Sequence, residues 1–136
     1  MTRKPKSMHM RLLPTLVSLV LLASQAVAGP VDNCASLLGS ISVELRVARG
    51  LPPGRRTTFT CPRDTSALIG ASRQRILNSL GTPDATGNVG GSVPAVEWSY
   101  FFSSSADGHG AAGIPELVFS FDDQQQVSST RCQRTQ

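Results

Sequence analysis

Lysine is almost missing from this sequence: Lys4 and Lys6 are the only two, and both lie within the first ten residues. A phosphate cradle of the Gly-x-x-x-x-Gly-Lys-Ser/Thr type needs a lysine to reach the phosphates, so the glycine-rich stretch 84–94, with Gly87, Gly90 and Gly91, does not make one. Histidine is as scarce, and His109 is the single imidazole after residue 10. No Cys-x-x-Cys, Gly-x-Ser-x-Gly or His-Glu-x-x-His occurs, which removes the commonest zinc and hydrolase patterns. Long apolar runs are absent too. Residues 12–23 form a 12-residue run containing Pro14, against the roughly 17 to 25 residues that a spanning helix needs.

That short run does have the flanks of an export leader. Arg3, Lys4, Lys6 and Arg11 precede or open it, and the small-residue triplet Ala26-Val27-Ala28 follows, so the expected organisation is a cleaved secretory signal over 1–28 and a single domain over 29–136. Cys34 is preceded by Val31-Asp32-Asn33, polar where a lipoprotein box needs small apolar residues, so no lipid anchor and no transmembrane anchor are expected after cleavage. Removing the leader changes the electrostatics. The full chain has 13 Lys and Arg against 9 Asp and Glu, but four of those cations lie in the leader and all the acids lie after it. The mature balance is near neutral and gives no basis for nucleic-acid binding.

Export places Cys34, Cys61 and Cys132 in an oxidising compartment, where three thiols allow one bridge and one leftover. Cys61 and Cys132 end alternating, strand-like stretches and are the favoured pair, with Cys34 to Cys61 as the rival. The leftover thiol is either free or joins two chains.

Residues 39–49 alternate as a strand does, through Ile41, Val43, Leu45 and Val47. Yet Leu37-Leu38-Gly39, Leu45, Gly50 and Pro52 recur 31 residues later as Leu68-Ile69-Gly70, Ile76, Gly81 and Pro83, with each offset kept. The later copy reads as a short helix: Ser72 caps it, Ile76, Leu77 and Leu80 share a face, Gly81 takes a left-handed C-cap, and Pro83 forbids continuation. The earlier copy is therefore read as a helix as well, over 39–49. Between them, 55–61 suggests an extra short edge strand burying Phe59 and Cys61, and Arg55-Arg56 reads as a solvated loop. Residues 84–94 read as a loop.

Strand 96–102 places Val96, Trp98, Tyr100 and Phe102 on one face, with Phe101 on the other beside Glu97 and Ser99. Strand 116–121 places Leu117, Phe119 and Phe121 together, and strand 126–132 returns after a turn at 122–125. The expected fold is α+β: two short helices on one face of a three-stranded antiparallel meander. The connection 103–114 is 12 residues, long for a hairpin.

The run from Leu68 to Pro83 (Leu-Ile-Gly-Ala-Ser-Arg-Gln-Arg-Ile-Leu-Asn-Ser-Leu-Gly-Thr-Pro), then Trp98-Ser99-Tyr100, then Leu117 to Asp122 (Leu-Val-Phe-Ser-Phe-Asp), resembles the SmpA/OmlA (BamE-like) domain. The similar features are a Gly-initiated helix ending in Leu-Gly-x-Pro, a Trp-x-Tyr strand and a Phe-x-Asp hairpin, spread over about half the chain. β-Lactamase-inhibitor-like proteins resemble the same helix-helix-sheet unit. The resemblance implies a non-catalytic module of the cell envelope that assists outer-membrane or envelope assembly, and gives structural roles to Gly70, Gly81, Pro83, Trp98, Tyr100 and Phe119. Unlike the best-known members, this chain lacks a lipobox, adds three cysteines and has a long hairpin loop.

The expected product is thus a periplasmic protein that binds an envelope protein through an exposed sheet edge and through Phe101, Ser105, Asp107 and His109, with secretion beyond the periplasm as the alternative location. No cofactor, metal or catalytic residue is assigned. A secreted or periplasmic enzyme inhibitor that uses loop 103–114 is the alternative function, and a small enzyme built on His109 is a third. Asp107 and His109 alone do not complete a metal site. Amino-terminal sequencing of the exported protein should begin at Gly29; a product that keeps residues 1–28 would overturn the leader reading.

Overall fold

The computed structural model describes residues 32–89, 95–108 and 111–136. The expected leader and His109 lie outside these residues. The chain is α+β, with helix α1 (Asn33–Arg49), a single 3-10 turn (Ser66–Leu68), helix α2 (Arg73–Leu80), and strands β1 (Ala85–Val89), β2 (Ala95–Phe101), β3 (Pro115–Phe121) and β4 (Val127–Arg134). The four strands form one antiparallel sheet in the order β1-β2-β3-β4.

Helix α1 resolves the ambiguity of 39–49. Leu38, Ile41, Leu45 and Ala48 are buried at helical spacing, while Val43 and Val47 are 49% and 55% exposed. A strand would have placed Ile41, Val43, Leu45 and Val47 on one face. The helix begins well before Gly39 because Asp32 caps it, its Oδ1 accepting from the Ala35 N–H at 3.0 Å. The two sequence copies therefore differ in backbone. Gly39 lies inside α1, whereas Gly70 precedes α2 with φ 82°; Gly50 ends α1 at φ −82°, whereas Gly81 ends α2 at φ 79°. The caps of α2 match expectation in part. Ser72 accepts from the Arg75 N–H at 3.1 Å, and Gly81 has positive φ, but its ψ of −165° puts it in the mirror-extended region rather than the left-handed helix.

Two expectations fail in the loops. Residues 85–89 are a strand, so the sheet has four strands and not three: β1 pairs with β2 from Ala85 opposite Ser99 to Val89 opposite Ala95. Ala-Thr-Gly-Asn-Val has weak intrinsic β preference, and the regular ladder of β2 supplies what composition does not. Residues 55–61 form no strand. The Phe59 N–H bonds locally to Thr57 Oγ1 at 3.0 Å instead of to a neighbouring strand. Phe59 is buried all the same, stacked on Phe102 with ring centroids 3.6 Å apart.

One buried cluster joins Leu38, Ile41 and Leu45 of α1 and Ile76 and Leu80 of α2 to Tyr100, Leu117, Phe119 and Phe121. The segment before α2 is stitched to the start of β4: Gly70 N–H donates to Val127 O, Val127 N–H to Ala71 O and Arg73 N–H to Gln125 O, each at 2.8 Å. The β3-β4 turn is held by Asp122, whose Oδ1 accepts from the Gln124 and Gln126 N–H groups at 3.0 and 2.9 Å. No helix among the described residues is long and apolar enough to cross a membrane.

Cys61 and Cys132 form a disulfide with Cα atoms 5.7 Å apart, and Cys34 is the leftover, half-buried thiol. The link closes a 71-residue separation, for which loop-closure entropy gives about 4 kcal/mol of stabilisation. Urea unfolding should lose a large part of that in Cys61→Ala/Cys132→Ala, and Cys34→Ala should leave the oxidised protein's midpoint unchanged. Equal midpoints for the double variant and the parent would contradict the staple.

Candidate functional site

The residues expected to meet a partner do not form one surface among the described residues. Phe101 is buried, at 8% exposure. It does face away from Tyr100 and Phe102, as alternation requires, and Glu116 and Gln133 stand in register beside it across the sheet, bonded to each other at 3.0 Å. Its backbone N–H donates to Asp84 Oδ2 at 2.8 Å. Alternation shows which face a residue takes and not how deeply its neighbours bury it.

Ser105 and Asp107 are exposed but engaged with the chain's own backbone. The N–H and Oγ of Ser105 both donate to the Arg49 carbonyl, at 3.2 and 3.1 Å, satisfying one of the unpaired carbonyls that end α1. The Arg49 side chain reaches the other way, to both carboxylate oxygens of Asp84 at 3.0 and 3.1 Å. Asp107 accepts from the Gly54 N–H with both oxygens at 3.0 Å. The first part of the hairpin loop is thus bound to the end of α1 and to the turn that follows it. His109 lies outside the described residues.

Of the residues expected to be structural, Tyr100 and Phe119 lie in the core and Trp98 packs against it. Phe119 is fully buried, and Trp98 is half-buried under the Arg73 guanidinium, 5.5 Å from the ring centroid. Tyr100 is fully buried, and its hydroxyl donates to the Gly81 carbonyl at 2.9 Å, so the glycine after α2 is hooked to β2. Gly81-Thr82-Pro83 thereby serves as both a stop and an anchor.

A solvent-open cleft of about 630 Å3 lies between the turn at 54–57 and the segment 111–115. Arg55, Arg56 and Arg134 line it, with Phe102, Ile114 and Pro115 as apolar lining. The arginine pair was visible in sequence, but its association with Arg134 was not, since nothing local to either segment points to the other. Among the described residues, no group of three or more His, Cys, Asp or Glu side chains is placed to hold a metal ion.

The sheet edges differ. β4 is flanked by the Cys61 disulfide and by Thr65, whose Oγ1 accepts from Thr130 Oγ1 at 2.6 Å. β1 carries no charge and no proline, and Ala85, Thr86, Gly87 and Asn88 are all exposed. Comparison of the chain with protein-family models, with curated proteins and with solved structures found no match.

Burial raises the Tyr100 phenol well above its ordinary value of 10.0; the Arg49 charge opposes the shift and the Asp84 charge adds to it. The folded state thus holds a proton that the unfolded state releases near pH 10, so stability should fall as pH rises beyond about 10. Tyr100→Phe should flatten that fall while costing about 1 kcal/mol at neutral pH through the lost hydrogen bond. Urea titrations at pH 7 and pH 10.5 measure both, and an unchanged alkaline slope would contradict the assignment.

Proposed function

We propose that this protein is an exported, non-catalytic protein-binding module of the cell envelope, acting in the periplasm and related in kind to the SmpA/OmlA (BamE-like) domain. The observation that carries the reading is the edge strand β1, which among the described residues pairs on one side only. An uncovered, uncharged edge offers a row of backbone donors and acceptors to an extended segment of another chain, and natural proteins usually blunt such edges. Arg131, Arg134 and the disulfide do so for β4. In this reading α1 and α2 both cover one face of the sheet and leave β1 free. The signal-like leader and the Cys61–Cys132 disulfide support an oxidising compartment. The leader, the Leu-Gly-x-Pro helix stop, the Trp-x-Tyr strand and the Phe-x-Asp hairpin support envelope assembly as the setting.

Inhibition of an envelope or extracellular hydrolase is the second reading, favoured by one feature. Ser105 and Asp107 hold the start of loop 103–114 in place, and a loop already ordered loses less entropy on entering an enzyme's cleft. Inhibition by the purified protein, abolished on deleting 103–114, would support it.

A Cβ at Gly87 meets nothing within 4 Å, so Gly87→Lys adds a charge to the β1 edge without a clash. Crosslinked co-purification from the native envelope should capture a defined protein with the parent chain and lose it with Gly87→Lys, while the thermal melt is unchanged. Equal capture by both, or none by the parent, would overturn the edge reading.

A further inference from the structure

The geometry points to a binding site for a small organic oxyanion, a carboxylate or phosphate carried on an apolar body, in the cleft between residues 54–57 and 111–115. The site is independent of the β1 edge, since none of its lining residues belongs to that strand.

Both walls are set by the chain's own hydrogen bonds. On one side, Arg55 N–H closes a turn onto Pro52 O at 3.1 Å, Gly54 takes φ 74°, and Asp107 accepts from the Gly54 N–H, so the one acidic residue lining the cleft already has a backbone donor. On the other side, Thr135 fixes the 111–115 segment. Its N–H donates to Ile114 O at 2.8 Å, its Oγ1 accepts from Ile114 N–H at 2.9 Å and donates to Ala111 O at 2.7 Å, and its carbonyl accepts from Gly113 N–H at 2.8 Å. Arg134 joins this wall by donating to Gly113 O at 2.9 Å. Beneath, Phe102 is held by its stack on Phe59.

Three arginine residues therefore line the cleft, with Asp107 as its one acidic residue. Among the described residues, Arg55 and Arg56 make no side-chain hydrogen bond or ion pair. Guanidinium forks match the paired oxygens of carboxylate and phosphate, and Ile114 and Pro115 give an apolar body a place to rest. The cleft's volume of about 630 Å3 lies in the range of small-molecule sites. Sequence alone makes the Arg55-Arg56 pair a solvated loop; the third arginine and the apolar lining come from the other end of the domain.

Isothermal titration of the purified protein with octyl phosphate and with octanoate, both kept below their micelle-forming concentrations, tests the site. Saturable one-site binding is expected for at least one of them, with no binding of octyltrimethylammonium. Octyl phosphate alone would assign the head as phosphate, and octanoate alone as carboxylate. Arg55→Gln/Arg56→Gln, which disrupts no bond of the fold, should weaken binding by about tenfold or more, and Ile114→Ser should weaken both amphiphiles while leaving competition by inorganic phosphate unchanged. Failure of both anions to bind, equal binding of the cation, or undiminished binding by the arginine double variant would overturn the proposal. Capture through β1 would stand in each of those cases. Binding only by a peptide with a free terminal carboxylate, and by neither amphiphile, would also overturn it.

Discussion

An aromatic face has to be kept from water, and the rest of the domain is arranged around that need. Tyr100, Phe102, Phe119 and Phe121 come from strands β2 and β3 and the residue just beyond β2, and all are buried. Two helices, of 17 and 8 residues, contribute Leu38, Ile41, Leu45, Ile76 and Leu80 to the same cluster. The short helix has too few turns to be stable alone, so its position depends on contacts at both ends. Its start is paired to Val127 and Gln125, and the carbonyl just past its end receives the Tyr100 hydroxyl. That hydroxyl is the one polar atom the aromatic face brings inside, and burying it without an acceptor would cost more than the bond returns.

The parts of the fold legible in the sequence are those set by short-range geometry. Alternation placed Tyr100 and Phe102 inside, the Ser72 hydroxyl marked a helix start, and Asp122 marked a turn, because each depends on a few neighbouring residues. The Cys61–Cys132 pairing was favoured because both end strand-like alternations in the sequence, although 55–61 forms no strand and Cys132 lies within β4. What stayed hidden depends on neighbours distant in sequence. Residues 85–89 become a strand because β2 lies alongside, and Phe59 is buried without a strand because Phe102 offers a ring to stack on. Phe101 followed the alternation and is nevertheless buried, because alternation sets the face of a residue and not the depth of its neighbours.

Loop 103–114 illustrates how one segment serves two ends. Its first residues satisfy the end of α1 and the turn at Gly54, and the residues that lead into β3 form a wall of the arginine cleft. Function read from loop length alone would centre on the loop's tip. Its sides are where the backbone is fixed, and the side that leads into β3 shares a cleft with Arg55, Arg56 and Arg134.

The placement of the disulfide also bears on how the chain acquires its covalent form. A protein delivered amino-terminus first into an oxidising space presents Cys34 and then Cys61 well before Cys132, which follows Cys61 by 71 residues. The earliest oxidation open to it therefore joins Cys34 to Cys61, a pairing that the finished fold does not contain. Reaching the native bond then requires a thiolate to attack that first link and release Cys34, the exchange chemistry that disulfide isomerases catalyse. Where Cys34 pairs first, the half-buried thiol of the finished domain is the group that this exchange releases.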